Sequence, residues 1–158
     1  ASDGKLRKPH IVKSLVANDG TVVENYQPEV VREVIKPKTA IQMRAALEKV
    51  VQKGGTALLA AVNGFRVAGK TGTVQKHNEE KGGYYLDRHI VSFAGMMPAQ
   101  DPAFVCIVVI DNPRTQKVRI FGGSIAGPVF SKIATRVAAH MNLQPTEPIA
   151  SPLATAAK

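Results

Sequence analysis

Residues 64 to 76, GFRVAGKTGTVQK, carry two overlapping sets of side chains that could do chemistry. Gly64, Gly69, Lys70 and Thr71 fit Gly-x-x-x-x-Gly-Lys-Thr, a loop whose amides and lysine cradle phosphates. Lys70, Thr71, Gly72 and Thr73 instead fit a strand that holds a carboxylate. Alternation along a strand puts Lys70 and Gly72 on one face and Thr71 and Thr73 on the other, so two hydroxyls converge on an anion as charge-assisted donors. Gly72 leaves room for a ligand to lie close to the strand. The main-chain N–H of Thr73 can then stabilise a developing oxyanion, and Lys70 adds positive potential.

The flanking residues choose between the two. A phosphate loop needs a strand ending at the first glycine and a helix starting at Lys-Thr. Here Lys70-Thr71 runs into Gly72, Thr73 and Val74, poor material for a helix start. The residues inside the motif, Phe65 to Ala68, alternate as a strand does. Asp111, closing the run FVCIVVID, imitates the magnesium-binding aspartate of such enzymes, as any acidic residue at a strand end would. The carboxylate-holding strand is the better reading, and an NTPase is the alternative.

Several elements must position that strand. Residues 9 to 16 and 21 to 26 read as a hairpin around Asn18-Asp19-Gly20. A helix is expected from Thr39 to Gln52, capped by Thr39 after Pro37 and ended by Gly54-Gly55, with Met43, Leu47, Val50 and Val51 at helical spacing. After residues 64 to 76, the polar stretch HNEEKGGYYLDRH reads as a loop. It carries Tyr84 and Tyr85, either as a wall of a groove or as its anchor. Strands follow at Ile90 to Met97 and from Ala103, the latter apolar enough for burial on both faces. Gly122-Gly123 reads as a tight connection with Ser124 a candidate cap, and Gly127-Pro128 as the opening of a last helix. Its buried stripe would be Phe130, Ile133, Val137 and Met141. Residues 144 to 158, with three prolines, read as a flexible tail.

Composition sets outer limits. The 158 residues are 44% apolar and 21% charged, enough for one domain or a large piece of one. No apolar run reaches the length of a membrane span. The net charge of +9 suits anionic partners. The basic residues are scattered, however, and without Trp there is little to stack on bases, so nucleic acid is not an expected partner. Cys106, the single cysteine, excludes an intrachain disulfide and reads as a small buried hydrophobe. The four histidines, His10, His77, His89 and His140, show no ligand spacing, and no metal or organic cofactor is expected.

The order GGTALLAAVNGFRVAGKTGTVQK, SFAGMMPA, IVVIDNP, FGGSIAGPVFSKIA resembles the C-terminal part of class B penicillin-binding proteins, with an ending most like the division-type peptidoglycan D,D-transpeptidases. The resemblance runs from about Pro9 to Leu143 and makes residues 1 to 143 the C-terminal part of a transpeptidase domain. It implies an α+β fold, an antiparallel sheet flanked by helices, shared with the serine β-lactamases. It also implies that Lys70, Thr71 and Thr73 contact the carboxylate of a D-Ala-D-Ala stem peptide or a β-lactam. The Thr73 N–H would form half of an oxyanion hole, and Gly72 would permit the approach. A location at the periplasmic face of the bacterial inner membrane and other cell-division proteins as partners follow from the same resemblance.

That family also needs Ser-x-x-Lys at a helix start and Ser-x-Asn on a loop. No Ser-x-Asn occurs here. The one Ser-x-x-Lys, Ser2 to Lys5, contains Gly4 and is followed by Pro9, so it reads as a turn leading into the hairpin. The chain is therefore expected to be a fragment or one half of a split domain. It would be inactive alone, and it would expose an apolar patch where the missing half belongs; the non-enzyme alternative is a catalytically silent binding or scaffolding module with a penicillin-binding fold. The start at Ala1 without a Met suggests processing or a fragment, and the membrane anchor is expected outside this chain.

Overall fold

The computed structural model describes residues 1–149. The chain divides into two compact units, Ser2–Ile41 and the residues from Gln42 onward.

The first unit is two short antiparallel ribbons. The central one pairs β2 (Ser14–Val16) with β3 (Val22–Asn25) across the expected Asn-Asp-Gly turn, where Gly20 takes φ +88°. Asp19 secures that turn by accepting the N–H of Thr21 at 2.9 Å. The outer ribbon, β1 (Lys5–Arg7) with β4 (Val30–Glu33), has no sequence signal. Its strands are short, mixed in polarity and joined by no tight turn. Ser2 to Lys5 is a turn: the Lys5 N–H donates to the Ser2 carbonyl at 3.0 Å, and the Ser2 hydroxyl donates to the Lys5 carbonyl at 2.6 Å. A serine committed to that carbonyl is not activated by the lysine amine, and the Ser-x-x-Lys match is coincidental.

α1 (Pro37–Glu48) starts two residues before the expected Thr39 cap and passes into a single 3-10 turn at Lys49–Val51. Proline suits the first helical position, because its missing N–H would be unpaired there anyway. Of the expected stripe only Val51 is buried, and Met43 stays 54% exposed.

The second unit is built on one antiparallel sheet of order β5-β6-β7: β5 (Ala68–His77), β6 (Tyr84–Met97) and β7 (Phe104–Asp111). β5 and β6 pair from Ala68↔Met96 to Gln75↔His89, and His77↔Tyr84 closes the arm after a register shift. The stretch expected as a loop is thus about half strand, with Tyr84 and Tyr85 on β6. Polar composition hid the strand because this arm is solvated. The true loop is 78–83. There the Asn78 side chain accepts the N–H groups of Glu80 and Lys81 at 3.1 Å each, and Gly82 and Gly83 supply positive φ.

One face of the sheet carries the core, where Phe93, Met97 and Val108 pack with α2 (Gly122–His140). Phe93 meets Phe130 edge to face at 4.9 Å. Gly95 admits that ring, since a Cβ there would come within 2.6 Å of it. The opposite face of β7 is bare: Val105, Ile107 and Val109 are 59%, 66% and 57% exposed. Burial on both faces, expected from the apolar run, is therefore not met among the described residues, and the expected apolar patch lies here instead. Cys106 is half-buried on the covered side, and burial pushes its thiol pKa up.

α2 begins at Gly122, so Pro128 lies inside the helix and Gly122-Gly123 form its first turn and not a connection. Ser124 closes that end as its third residue, accepting the Phe121 N–H at 3.2 Å. The buried stripe is Ala126, Phe130, Ala134 and Ala138, while Ile133 and Met141 are 38% and 44% exposed. Small residues won the inner face because the helix packs close to the sheet. The tail expected to be flexible from residue 144 is tied down at its start. The N–H groups of Thr146 and Glu147 donate to the Gly64 carbonyl at 2.8 and 3.1 Å. Residues 150–158 lie outside the described residues.

Candidate active site

β5 runs as unbroken strand through Lys70-Thr71, where a phosphate loop needs a helix start. Asp111, the imitation metal ligand, is held by Lys76 Nζ at 2.8 and 2.9 Å. The NTPase alternative has no support in this geometry.

The carboxylate-holding tetrad lies along β5, which pairs with β6 and has no other strand neighbour among the described residues. Lys70 Nζ donates to the Thr71 carbonyl at 2.8 Å, so that carbonyl faces away from β6. Gly72 shows the alternate orientation. Its N and O, with the Ser92 carbonyl, lie where a Cβ on Gly122 would sit, in the seam between β5 and β6. Because N–H and C=O of one residue leave an antiparallel strand on the same side and alternate along it, the Thr73 amide also faces the open edge. Thr71 and Thr73 share the α2 face and Lys70 and Gly72 the other, as alternation requires.

The two hydroxyls stand at separate stations. Thr73 Oγ1 accepts the N–H of Gly122 at 3.1 Å, which leaves its own proton free to donate. Gly122 opens a 19-residue helix, so the positive end of that dipole lies against Thr73. Thr71 Oγ1 lies 3.4 Å from Lys70 Nζ and 3.3 Å from the hydroxyl of Thr56. Lys70 and Thr73 are exposed, Thr71 and Gly72 half-buried. Gly72 has a reason of its own, because a Cβ there would strike the Ser92 hydroxyl on β6. The room it gives is room for the neighbouring strand, on the face away from the threonines.

Sequence reading missed Thr56 and Gly122 as members of this cluster. No spacing marks Thr56, which follows Gly54-Gly55, read only as a helix stop. It arrives beside Thr71 because the first turn of α2 presses on it, and a Cβ on Gly123 would overlap the Thr56 carbonyl.

The start of β5 is anchored separately. Arg66 Nε and a second guanidinium nitrogen donate to Glu48 at 2.9 and 2.5 Å, and Glu48 is buried. The Arg66 N–H donates to Thr146 Oγ1 at 3.2 Å, and its carbonyl accepts the Ala99 N–H at 2.8 Å. Arg66 thereby fixes the chain four residues before Lys70.

Comparison with known proteins gives the family. Residues 1–135 match the family described as the penicillin binding protein transpeptidase domain. Penicillin-binding protein PbpB of Mycolicibacterium smegmatis is 43% identical over 141 residues, covering 85% of this chain and 22% of that protein. Stage V sporulation protein D of Bacillus subtilis is 38% identical over 143 residues, covering 90% of this chain and 21% of that protein. The ampicillin complex of penicillin-binding protein 3 from Mycobacterium tuberculosis superposes with a TM-score of 0.77 at 36% identity, over 95% of this chain and 34% of that one. The chain spans about a fifth of the length of these curated relatives. The chain belongs to the penicillin-binding protein transpeptidase family, among its class B members.

Proposed function

We propose that this chain is the C-terminal, substrate-holding part of a serine D,D-transpeptidase domain that cross-links peptidoglycan, with residues 1 to 143 as that part. The single observation carrying this reading is the open edge of β5. It presents the Lys70 ammonium, two threonine hydroxyls and an outward-facing Thr73 amide beside the N-terminus of α2. These donors suit a ligand with a terminal carboxylate and a carbonyl that develops negative charge. Lys70, Thr71 and Thr73 would hold the carboxylate of a D-Ala-D-Ala stem peptide, and the Thr73 N–H would meet the oxyanion.

In the reaction a serine oxygen attacks the penultimate D-Ala carbonyl, and the terminal D-Ala leaves carrying the proton. An acceptor amine then takes the acyl group and frees the serine. β-Lactams would acylate the same serine and stay. That serine lies outside these 158 residues, which contain no Ser-x-Asn and whose only Ser-x-x-Lys is a turn. The bare face of β7 fits a part that meets the rest of its domain there. Periplasmic placement at the inner membrane and cell-division partners belong to the same reading, and no helix among the described residues is long and apolar enough to cross a membrane.

Denaturing mass spectrometry after incubation with benzylpenicillin tests the proposal. The isolated chain should carry no adduct, and the complete domain should carry one on a serine beyond these residues. An adduct on this chain, at Ser2 above all, would overturn the assignment.

A further inference from the structure

We infer that Thr56 is a specificity-determining positioning residue: its hydroxyl commits the Thr71 proton to an anionic ligand group and so makes the site prefer a carboxylate over a neutral amide. The inference rests on the proposed function and assigns a residue that the Lys-Thr-Gly-Thr motif does not contain.

A threonine hydroxyl has one proton to give and two lone pairs that accept. Lys70 is an ammonium, which only donates, and it lies 3.4 Å from Thr71 Oγ1, so one lone pair of that oxygen faces a fixed donor. Thr56 Oγ1 lies 3.3 Å from the same oxygen on a hydroxyl that turns either way. While the site is empty, Thr71 can donate to Thr56. When a carboxylate arrives, Thr56 reverses and donates to Thr71. Both lone pairs of Thr71 are then occupied, and its proton has only the ligand to go to. A ligand amide can meet that proton only with its carbonyl oxygen, and an amide N–H turned toward Thr71 finds no acceptor on this oxygen. Without the Thr56 hydroxyl one lone pair is free, and Thr71 can accept from an amide N–H as readily as it donates to a carboxylate.

Thr56 is held for this task by the fold. The Ala57 N–H donates to the Val50 carbonyl at 2.9 Å, and the glycine at 123 lets α2 press against the Thr56 backbone. The hydroxyl itself lies in an exposed residue, so its partner is not chosen by burial.

The test compares acylation of the complete domain by benzylpenicillin and by its carboxamide, in wild type, Thr56→Val and Thr56→Ser, with thermal stability measured alongside. Thr56→Val should lower the carboxylate-to-amide rate ratio by about five- to tenfold, the worth of one hydrogen bond. Thr56→Ser should keep the wild-type ratio. If Thr56→Val slows both ligands equally, or leaves both unchanged, the inference is overturned while acyl transfer stands. If the wild type forms no adduct with either ligand, the proposed function falls and takes the inference with it.

Discussion

Replacing Arg66 by alanine strands a buried carboxylate. The Glu48 side chain is 9% exposed and Arg66 40%, so the two partners are unequal in what their loss leaves behind. Without the guanidinium, the largely buried Glu48 carboxylate loses two charge-assisted hydrogen bonds from one side chain. Breaking such a pair from the exposed side costs about 3–5 kcal/mol, because the remaining charge is uncompensated. Removing the other partner is milder: in Glu48→Gln the half-exposed Arg66 can turn to water and to Glu147, 3.9 Å away, at a cost of about 1–2 kcal/mol. The double replacement Glu48→Leu with Arg66→Met leaves no charge to strand and should fall within about 1 kcal/mol of wild type. Urea unfolding followed by far-UV circular dichroism measures all four proteins. The reasoning is refuted if Arg66→Ala costs less than Glu48→Gln, or if the double variant is no more stable than Arg66→Ala.

Three further outcomes follow from the same structure. Thr73→Val in the complete domain removes a carboxylate donor and the acceptor of the Gly122 N–H, and should slow β-lactam acylation by at least about tenfold, the worth of a hydrogen bond to a charged group; an unchanged rate removes Thr73 from the site. Gly95→Ala drives a methyl group into the Phe130 ring and should destabilise the chain by about 1–3 kcal/mol in a thermal melt, whereas a neutral effect would show that the Phe93–Phe130 contact is not close-packed. The carboxyl of Asp19 is held below its ordinary 3.8 by the backbone N–H and then the hydroxyl of Thr21, so it supports the hairpin turn above the unfolded pKa and stops doing so as pH falls through the lower folded value. The Thr21 amide resonance should therefore titrate with a midpoint below 3.8, and a midpoint at or above that value would mean the turn is not closed by this carboxylate.

Sequence determined the elements whose cause is local. Asn18-Asp19-Gly20 makes a turn because Gly20 takes positive φ and Asp19 bonds two residues ahead. Lys70 to Thr73 form a strand because Gly72 and the β-branched Thr73 and Val74 resist a helix, which was enough to set the phosphate loop aside. Motif order along the chain was enough for the family.

Tertiary structure decided what depends on which surfaces meet. Pro128 fell inside α2 because Gly122 lets the helix begin against β5 and β6 and Gly123 lets it press on Thr56, a closeness no local pattern encodes. Small residues took the inner face of α2, since the sheet lies too near for Ile133 or Met141. β7 reads as buried on both faces and has one face bare among the described residues, because hydrophobicity records what a strand is suited to pack against and not what the fold lays over it. Thr56 joined Thr71 across fifteen residues for the same reason: a hydroxyl carries no spacing signal, and only the packing of α2 brings the two within 3.3 Å.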